Sequence, residues 1–132
     1  MQEQYIETLK NGTTKYYKDK DKTILHREDG PAIEHADGSK LWYVDDKRHR
    51  TDGPAVEWAD GSKVWHVNGK LHRLDGPAID LNGGDRSWYV NGKLHRLDGP
   101  AVDWAGGNKE WYVNDVFIMM VNSSGQLDDR MK

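Results

Sequence analysis

Histidine and arginine stand side by side four times in this chain, at His26-Arg27, His49-Arg50, His72-Arg73 and His95-Arg96, each pair 23 residues after the last. Imidazoles bind metals and move protons, and guanidiniums clamp carboxylates and phosphates, so the ladder invites a metal, catalytic or anion-binding reading. Its regularity argues for something plainer. Catalysis needs unlike groups converging on one place, whereas one group recurring at a structural period performs one local role several times. If two strands separate neighbouring copies, the imidazoles lie roughly 10 Å apart, too far to share a zinc whose ligand bonds are ~2 Å. The expected role is structural: Arg73 pairs with Asp75 or Asp80, and His72 hydrogen-bonds a turn. Glu34, Glu57, Asp80 and Asp103 keep step with the arginines as a charge ladder. A ligand-binding role for the ladder stays open as the alternative.

Other chemistry is sparse. With no cysteine there is no thiolate nucleophile, thiolate zinc site or disulfide. The chain has no phosphate loop, no His-Glu-x-x-His and no Gly-x-Ser-x-Gly elbow, and its Asp-Gly pairs lack the other ligands of a calcium loop. No enzyme activity, metal or cofactor is expected.

The elements that position the ladder follow from the wider repeat. His-Arg-x-Asp-Gly-Pro-Ala begins at residues 26, 49, 72 and 95, and Trp42-Tyr43-Val44, Trp65-His66-Val67, Trp88-Tyr89-Val90 and Trp111-Tyr112-Val113 keep the same period. A fixed period of this length marks stacked supersecondary units that cannot bury an apolar face alone. In the second unit, Pro54–Ala59 reads as a strand and Asp60-Gly61 reverses the chain. Ser62–Val67 is the next strand, Asn68-Gly69 turns again, and Lys70–Arg73 returns. Proline opens each strand, where a sheet accepts a missing N–H. The predicted fold is all-β, an antiparallel meander of 23-residue β-hairpin repeats forming one elongated twisted sheet.

Asn68-Gly69-Lys70-Leu71-His72, together with Asp60-Gly61-Ser62-Lys63-Val64-Trp65, resembles MORN repeats over Ile33 to Val113. The resemblance implies β-hairpin units side by side in a long sheet, used chiefly for protein interaction and scaffolding, with lipid contact in some members. A MORN unit usually has His-Gly-x-Gly where this chain has His-Arg-x-Asp-Gly-Pro-Ala. That variant is similar to repeats in proteins of bacteriophages and large DNA viruses, which implies a viral origin.

Three regions are expected: a degenerate capping unit over 1–25, four repeats over 26–114, and a capping strand with its tail over 115–132. The Lys18–Lys22 run of alternating charge reads as a solvated loop. Val116–Val121 replaces the return segment with a continuous apolar run, either a closing strand or, through Phe117, Ile118, Met119 and Met120, an oligomer contact. From Ser123 onward the tail is expected to fray.

Positions that stay constant between copies, or change only between Ile and Val, are expected to form the stacked core: Trp42, Trp65, Trp88 and Trp111, the valines two residues on, Ile33, Val56, Ile79 and Val102, and Ala32, Ala55, Ala78 and Ala101. Removing a central tryptophan should cost roughly 3–5 kcal/mol. Tyr43, His66, Tyr89 and Tyr112 fall on the opposite face with the variable Leu41 and Val64. Trp58 and Trp104 occupy another variable position. Together these are the candidate partner-binding residues, either an exposed aromatic recognition stripe or simply a cover for the sheet.

A formal charge of −3 gives no long-range pull on nucleic acid or anionic lipid. The first residues lack a signal-peptide pattern, and no apolar stretch is long enough to span a bilayer. The expected protein is cytoplasmic, in the host cell if viral. It is expected to be a non-catalytic module binding a protein partner, in the phage case an inhibitor of a host antiviral defence protein. The alternatives are a self-assembling structural protein, with homo-oligomers formed through the C-terminal strand or sheet edges, and a small-molecule or lipid-head-group binder.

Overall fold

The computed structural model describes residues 4–127. The first three residues of the expected cap and the last five of the expected tail, 128–132, lie outside the described residues. The chain is all-β: β1 (Tyr5–Thr8) and β2 (Thr14–Tyr17) form a hairpin ahead of the repeats. The first repeat supplies β3 (Ile33–Glu34), β4 (Lys40–Leu41), β5 (Tyr43–Val44) and β6 (Lys47–Arg48). The second supplies β7 (Val56–Glu57), β8 (Lys63–Val64), β9 (His66–Val67) and β10 (Lys70–Leu71). The third supplies β11 (Ile79–Asp80), β12 (Arg86–Ser87), β13 (Tyr89–Val90) and β14 (Lys93–Leu94), and the fourth β15 (Val102–Asp103), β16 (Lys109–Val113) and β17 (Val116–Val121). Eleven strands make an antiparallel sheet in the order β1-β2-β3-β4-β7-β8-β11-β12-β15-β16-β17, and β5-β6, β9-β10 and β13-β14 are separate two-stranded ribbons. By packing, the chain divides into two compact units, Met1–Lys70 and Leu71–Lys132.

The strand expected over Ser62–Val67 breaks at Trp65, as its counterparts break at Trp42 and Trp88. Each of these tryptophans stands where the chain changes partner: β4 pairs in the main sheet with β3 and β7, whereas β5 pairs with β6. The fourth repeat has no break. In β17 the stretch from ribbon return to sheet strand takes six residues, where Lys70 to Asp80 takes eleven. The His-Arg-x-Asp-Gly-Pro phrase is therefore an excursion out of the sheet. Without it, β16 and β17 pair along their length with one irregularity between Trp111 and Tyr112.

Two kinds of turn set the register. Asn68-Gly69 and Asn91-Gly92 hold two successive positive φ angles, as do Asp45-Asp46 and Asn114-Asp115, which is the type I′ geometry of two-residue loops. The Asp-Gly turns are longer by one. Trp58 N–H donates to Ser62 O and Gly61 N–H to Trp58 O, with Gly61 at φ 93°. This is a three-residue loop ending in a left-handed glycine bulge. It places Val56 opposite Val64 and Glu57 opposite Lys63.

That extra residue corrects the expected core. A two-residue Asp60-Gly61 loop would set Val56 opposite Trp65, and a one-residue slip exchanges the faces of a strand. The first unit instead builds its core from Ile33, Leu41 and Val56, with Leu25, Tyr43 and Val64 packed against them. The tryptophans and their following valines are half-buried on the other side. Invariant Ala32, Ala55, Ala78 and Ala101 are fully buried. The charged positions form cross-strand pairs: Glu34 faces Lys40, Lys40 faces Glu57 and Glu57 faces Lys63 in the first unit. Asp80, Arg86, Asp103 and Lys109 alternate likewise in the second. Opposite charges directly across a ladder favour this register.

The expected frayed tail is structured as far as Leu127. Asn122 N–H donates to Gln126 O, Gly125 N–H donates to Asn122 O, and Leu127 bridges back to Val121. Asn122–Gln126 thus repeats the three-residue turn pattern.

Candidate functional site

Each residue of the repeated phrase has a local task. Nδ1 of His26, His49, His72 and His95 accepts the N–H of the residue that opens the next type I′ turn, Asp45, Asn68, Asn91 and Asn114, at 3.0 to 3.1 Å. A nitrogen that accepts carries no hydrogen, so these rings hold theirs on Nε2. Among the described residues no group of three or more His, Cys, Asp or Glu is placed to hold a metal ion.

The arginines turn inward. Arg50 Nε donates to Asp52 at 2.9 Å, and its Nη1 donates to Pro54 O at 3.0 Å and Glu57 at 3.3 Å. Arg27 makes the same three contacts with Asp29, Pro31 O and Glu34. Arg73 and Arg96 bond Asp75 with Pro77 O and Asp98 with Pro100 O. Guanidiniums also lie 3.9 to 4.0 Å from aromatic centroids, Arg27 over Tyr16, Arg50 over Trp42 and Arg96 over Trp88. The glycine of the phrase makes room for them, since a Cβ on Gly30, Gly53, Gly76 or Gly99 would stand 2.7 to 2.9 Å from the guanidinium carbon. This architecture uses the arginines as internal struts.

Only the x position of the phrase is left over. It holds Glu28, Thr51, Leu74 and Leu97, and the two leucines are 81% and 80% exposed. In the second unit they border a groove of about 570 Å³ with Trp88 and Val90 in its wall. The first unit has the same groove, about 720 Å³, bordered by Glu28 and Thr51 with Trp42 and Val44 in the wall. One frame therefore presents polar rims in one unit and apolar rims in the other. The carboxylates beside the leucines, Asp75 and Asp98, are 88% and 89% exposed while holding their arginines.

Most of the expected aromatic stripe lies elsewhere. Leu41 and His66 are buried, which corrects them from recognition surface to interior for the register reason above, and Tyr43 and Val64 are half-buried against the core. Tyr89 and Tyr112 are half-buried. Burial, with Asp115 second, pushes the Tyr89 phenol up, while Tyr112 meets Phe117 edge-on at 5.5 Å. Burial first and the Arg48 charge second hold the His66 imidazole down at about 4.

Trp58 and Trp104 are exposed at the three-residue turns. Trp58 borders a shallow hollow of about 330 Å³ with Thr13, His35 and Ser39, and Trp104 Nε1 donates to Glu110 at 2.6 Å. Phe117 and Ile118 are exposed on β17, whereas Met119 and Met120 are half-buried.

Comparison of the copies marks Glu28, Thr51, Leu74 and Leu97 as a variable position of functional interest, but does not by itself place Leu74 and Leu97 among the candidate binding residues. Among variable positions, theirs is the one enclosed within an otherwise invariant phrase. Sequence reasoning missed a second link between repeats: Ser39 Oγ accepts the Ala59 N–H, Asp85 that of Ala105, and Asn108 that of Ser123.

Comparison with known proteins supplies no relative. No protein-family model matches the chain, and neither the curated proteins nor the solved structures searched give a match.

Proposed function

We propose that the protein is a non-catalytic binding module that docks a protein partner on the second unit, across the groove bordered by Leu74 and Leu97. The observation that carries this reading is their 81% and 80% exposure at a position the frame leaves free, since the same phrase accepts Glu28 and Thr51. Exposed leucines lining a groove are the kind of apolar patch that marks an interaction surface. Trp88 in the wall supplies the aromatic area that anchors such contacts. The matching partner surface presents an apolar side chain between the leucines and cationic groups toward Asp75 and Asp98. The arginine ladder is a poorer ligand site, because its guanidiniums are already engaged within the fold. In the phage setting implied by the repeat resemblance, such a module would act in the host cytoplasm by covering a host protein, an antiviral defence component being the proposed case.

The experiment uses the parent chain and a Leu74→Ser/Leu97→Ser variant as baits in host lysate, after circular dichroism and melting show both to be folded. The expected result is one stoichiometric protein held by the parent and lost by the variant, with a cross-link mapping to the groove. Equal capture by both baits, or cross-links mapping only to other surfaces, overturns the reading.

A further inference from the structure

Three successive turns of the first unit, Asn11-Gly12, Asp37-Gly38 and Asp60-Gly61, share one hydrogen-bond pattern, in which Leu9 O, His35 O and Trp58 O accept the N–H of the turn glycine. The turns abut. A Cβ on Gly12 would stand 3.0 Å from the Ala36 Cβ, and Ser39 Oγ accepts the Ala59 N–H at 2.9 Å. Where they meet lies the hollow of about 330 Å³ that Trp58 borders with Asn11, Thr13, His35, Asp37 and Ser39.

Its polar lining is held in place from below. Thr13 and Ser39 are 3% and 2% exposed. Asn11 Oδ1 accepts the Thr13 N–H and Asp37 Oδ1 the Ser39 N–H, each at 2.9 Å, and His35 Nδ1 lies 3.2 Å from Thr13 Oγ1. These contacts fix the side chains while leaving Asn11 Nδ2, His35 Nε2 and carboxylate lone pairs of Asp37 to a ligand.

Trp58 supplies the apolar wall. It is 41% exposed at a position where other copies hold His35, Leu81 and Trp104. The Trp104 indole is tied to Glu110, but the second repeat has Val64 at that place, which offers no acceptor to the Trp58 indole N–H. The third repeat also puts Leu81, Gly83 and Asp85 where the first has His35, Asp37 and Ser39, so this set of groups belongs to the first unit alone.

The lining selects a class of ligand. Among the described residues no lysine or arginine borders the hollow. The Ser39 N–H first, and its hydroxyl second, hold the Asp37 carboxyl below its usual range, so a negative charge stands there at neutral pH. An anionic ligand would meet that charge with no adjacent cation to offset it. A neutral ring with hydroxyls at its rim suits a mixed set of donors and acceptors, and the electron-rich face of an indole attracts the electropositive C–H groups on the ring's apolar face. A hollow of this size is at the lower end of small-molecule sites, which run roughly from 300 to 1,000 Å³, and takes one ring.

We propose that this hollow is a saccharide site, binding one neutral pyranose ring stacked on Trp58 with its hydroxyls bonded to Asn11, His35 and Asp37.

Proton–nitrogen correlation spectra of the full chain test this, titrated with methyl glucopyranoside, methyl galactopyranoside, methyl mannopyranoside and N-acetylglucosamine. Adenosine monophosphate and tetramethylammonium are titrated alongside as the other ligands an indole stacks, a nucleobase and a cation. The chain has six tryptophans, and the Trp58 indole signal is the one missing from Trp58→Leu, a change to the residue the third repeat carries at that position. At least one sugar should shift the Trp58 indole and the backbone signals of Ala36 and Asp37. Trp58→Leu should weaken binding, read from those backbone signals, at least about tenfold. His35→Leu, again the residue of the third repeat, should weaken it too and replaces the first variant if that one does not fold. No response to any sugar at its highest soluble concentration overturns the proposal. So does a sugar affinity unchanged in the folded variants, or tighter binding of adenosine monophosphate or tetramethylammonium than of every sugar.

Discussion

The Arg50 guanidinium carbon lies 3.9 Å from the centroid of the Trp42 ring, and a Cβ placed on Gly53 would stand 2.9 Å from that same carbon. Ring, guanidinium and glycine thus fix one another, and Asp52 and Pro54 O hold the cation in plane. Gly53 has no positive φ, so its backbone tolerates alanine and only the guanidinium excludes it. Gly53→Ala should destabilise the parent by about 1–2 kcal/mol as the stack is pushed aside. Arg50→Ala should cost about 2–3 kcal/mol. In the Arg50→Ala background the glycine change should be close to neutral. A double-mutant cycle by urea denaturation reads this coupling, and strictly additive costs would refute the account.

His66 stands where the other repeats hold Tyr43, Tyr89 and Tyr112, and it is buried beside Arg48. Its pKa falls from 6.5 to about 4 on folding, so between those values the unfolded chain binds a proton that the folded chain refuses. Its contribution is complete above pH 6.5 and is lost as pH falls toward about 4, by about 3 kcal/mol over the window. Carboxylates also contribute to acid unfolding, so the informative quantity is a difference. Relative to the parent, His66→Tyr should gain about that much stability between neutral pH and pH ~4. A gap independent of pH would place the histidine in water.

The repeat period, the turns and the all-β meander were legible because each rests on local chemistry: Asn-Gly for positive φ, Pro at strand starts, alternation along strands. Which face is wet was not legible. It depends on whether Asp60-Gly61 closes a two- or three-residue loop, and one residue exchanges Trp65 for Val64 against Val56. The struts were legible in part, because Arg73 and Asp75 lie two residues apart. The pairing of Arg50 with Trp42 is set by how the chain folds back, and no local pattern announces it. Leu74 and Leu97 were legible as a variable position but not as a binding surface, because variability inside a repeated phrase does not tell recognition from tolerance until exposure is known.

Asp115 occupies the second position of a type I′ turn at φ 68°, where Asn68 and Asn91 are followed by glycine. Its carboxylate accepts the Leu94 N–H at 2.8 Å, and its own N–H donates to Leu94 O at 2.8 Å. Asp115→Gly relieves the left-handed backbone while losing the carboxylate bond, two effects of about 1 kcal/mol with opposite sign. It should be nearly neutral. Asp115→Ala keeps the strained φ and loses the bond, and should cost about 1–2 kcal/mol more than glycine. Thermal melts of the two variants check the order, and alanine matching glycine would show that the turn does not constrain φ.

Tryptophan content alone would rank Trp88 and Trp104 together, yet their settings differ. Trp88 is half-buried, lies under Arg96, and sends its backbone N–H to Ala101 O at 2.7 Å. Trp104 is 44% exposed at a turn, and its indole donates to Glu110. Half burial lowers the cost expected for a central tryptophan, so Trp88→Ala should lose about 2–4 kcal/mol, much of it through the stranded guanidinium. Trp104→Ala should lose about 1 kcal/mol or less, because its ring already faces water. Urea midpoints separate the two if the sheet register is as described. Equal losses would mean that both rings lie in one core, as a two-residue reading of the Gly83-Gly84 and Gly106-Gly107 turns requires.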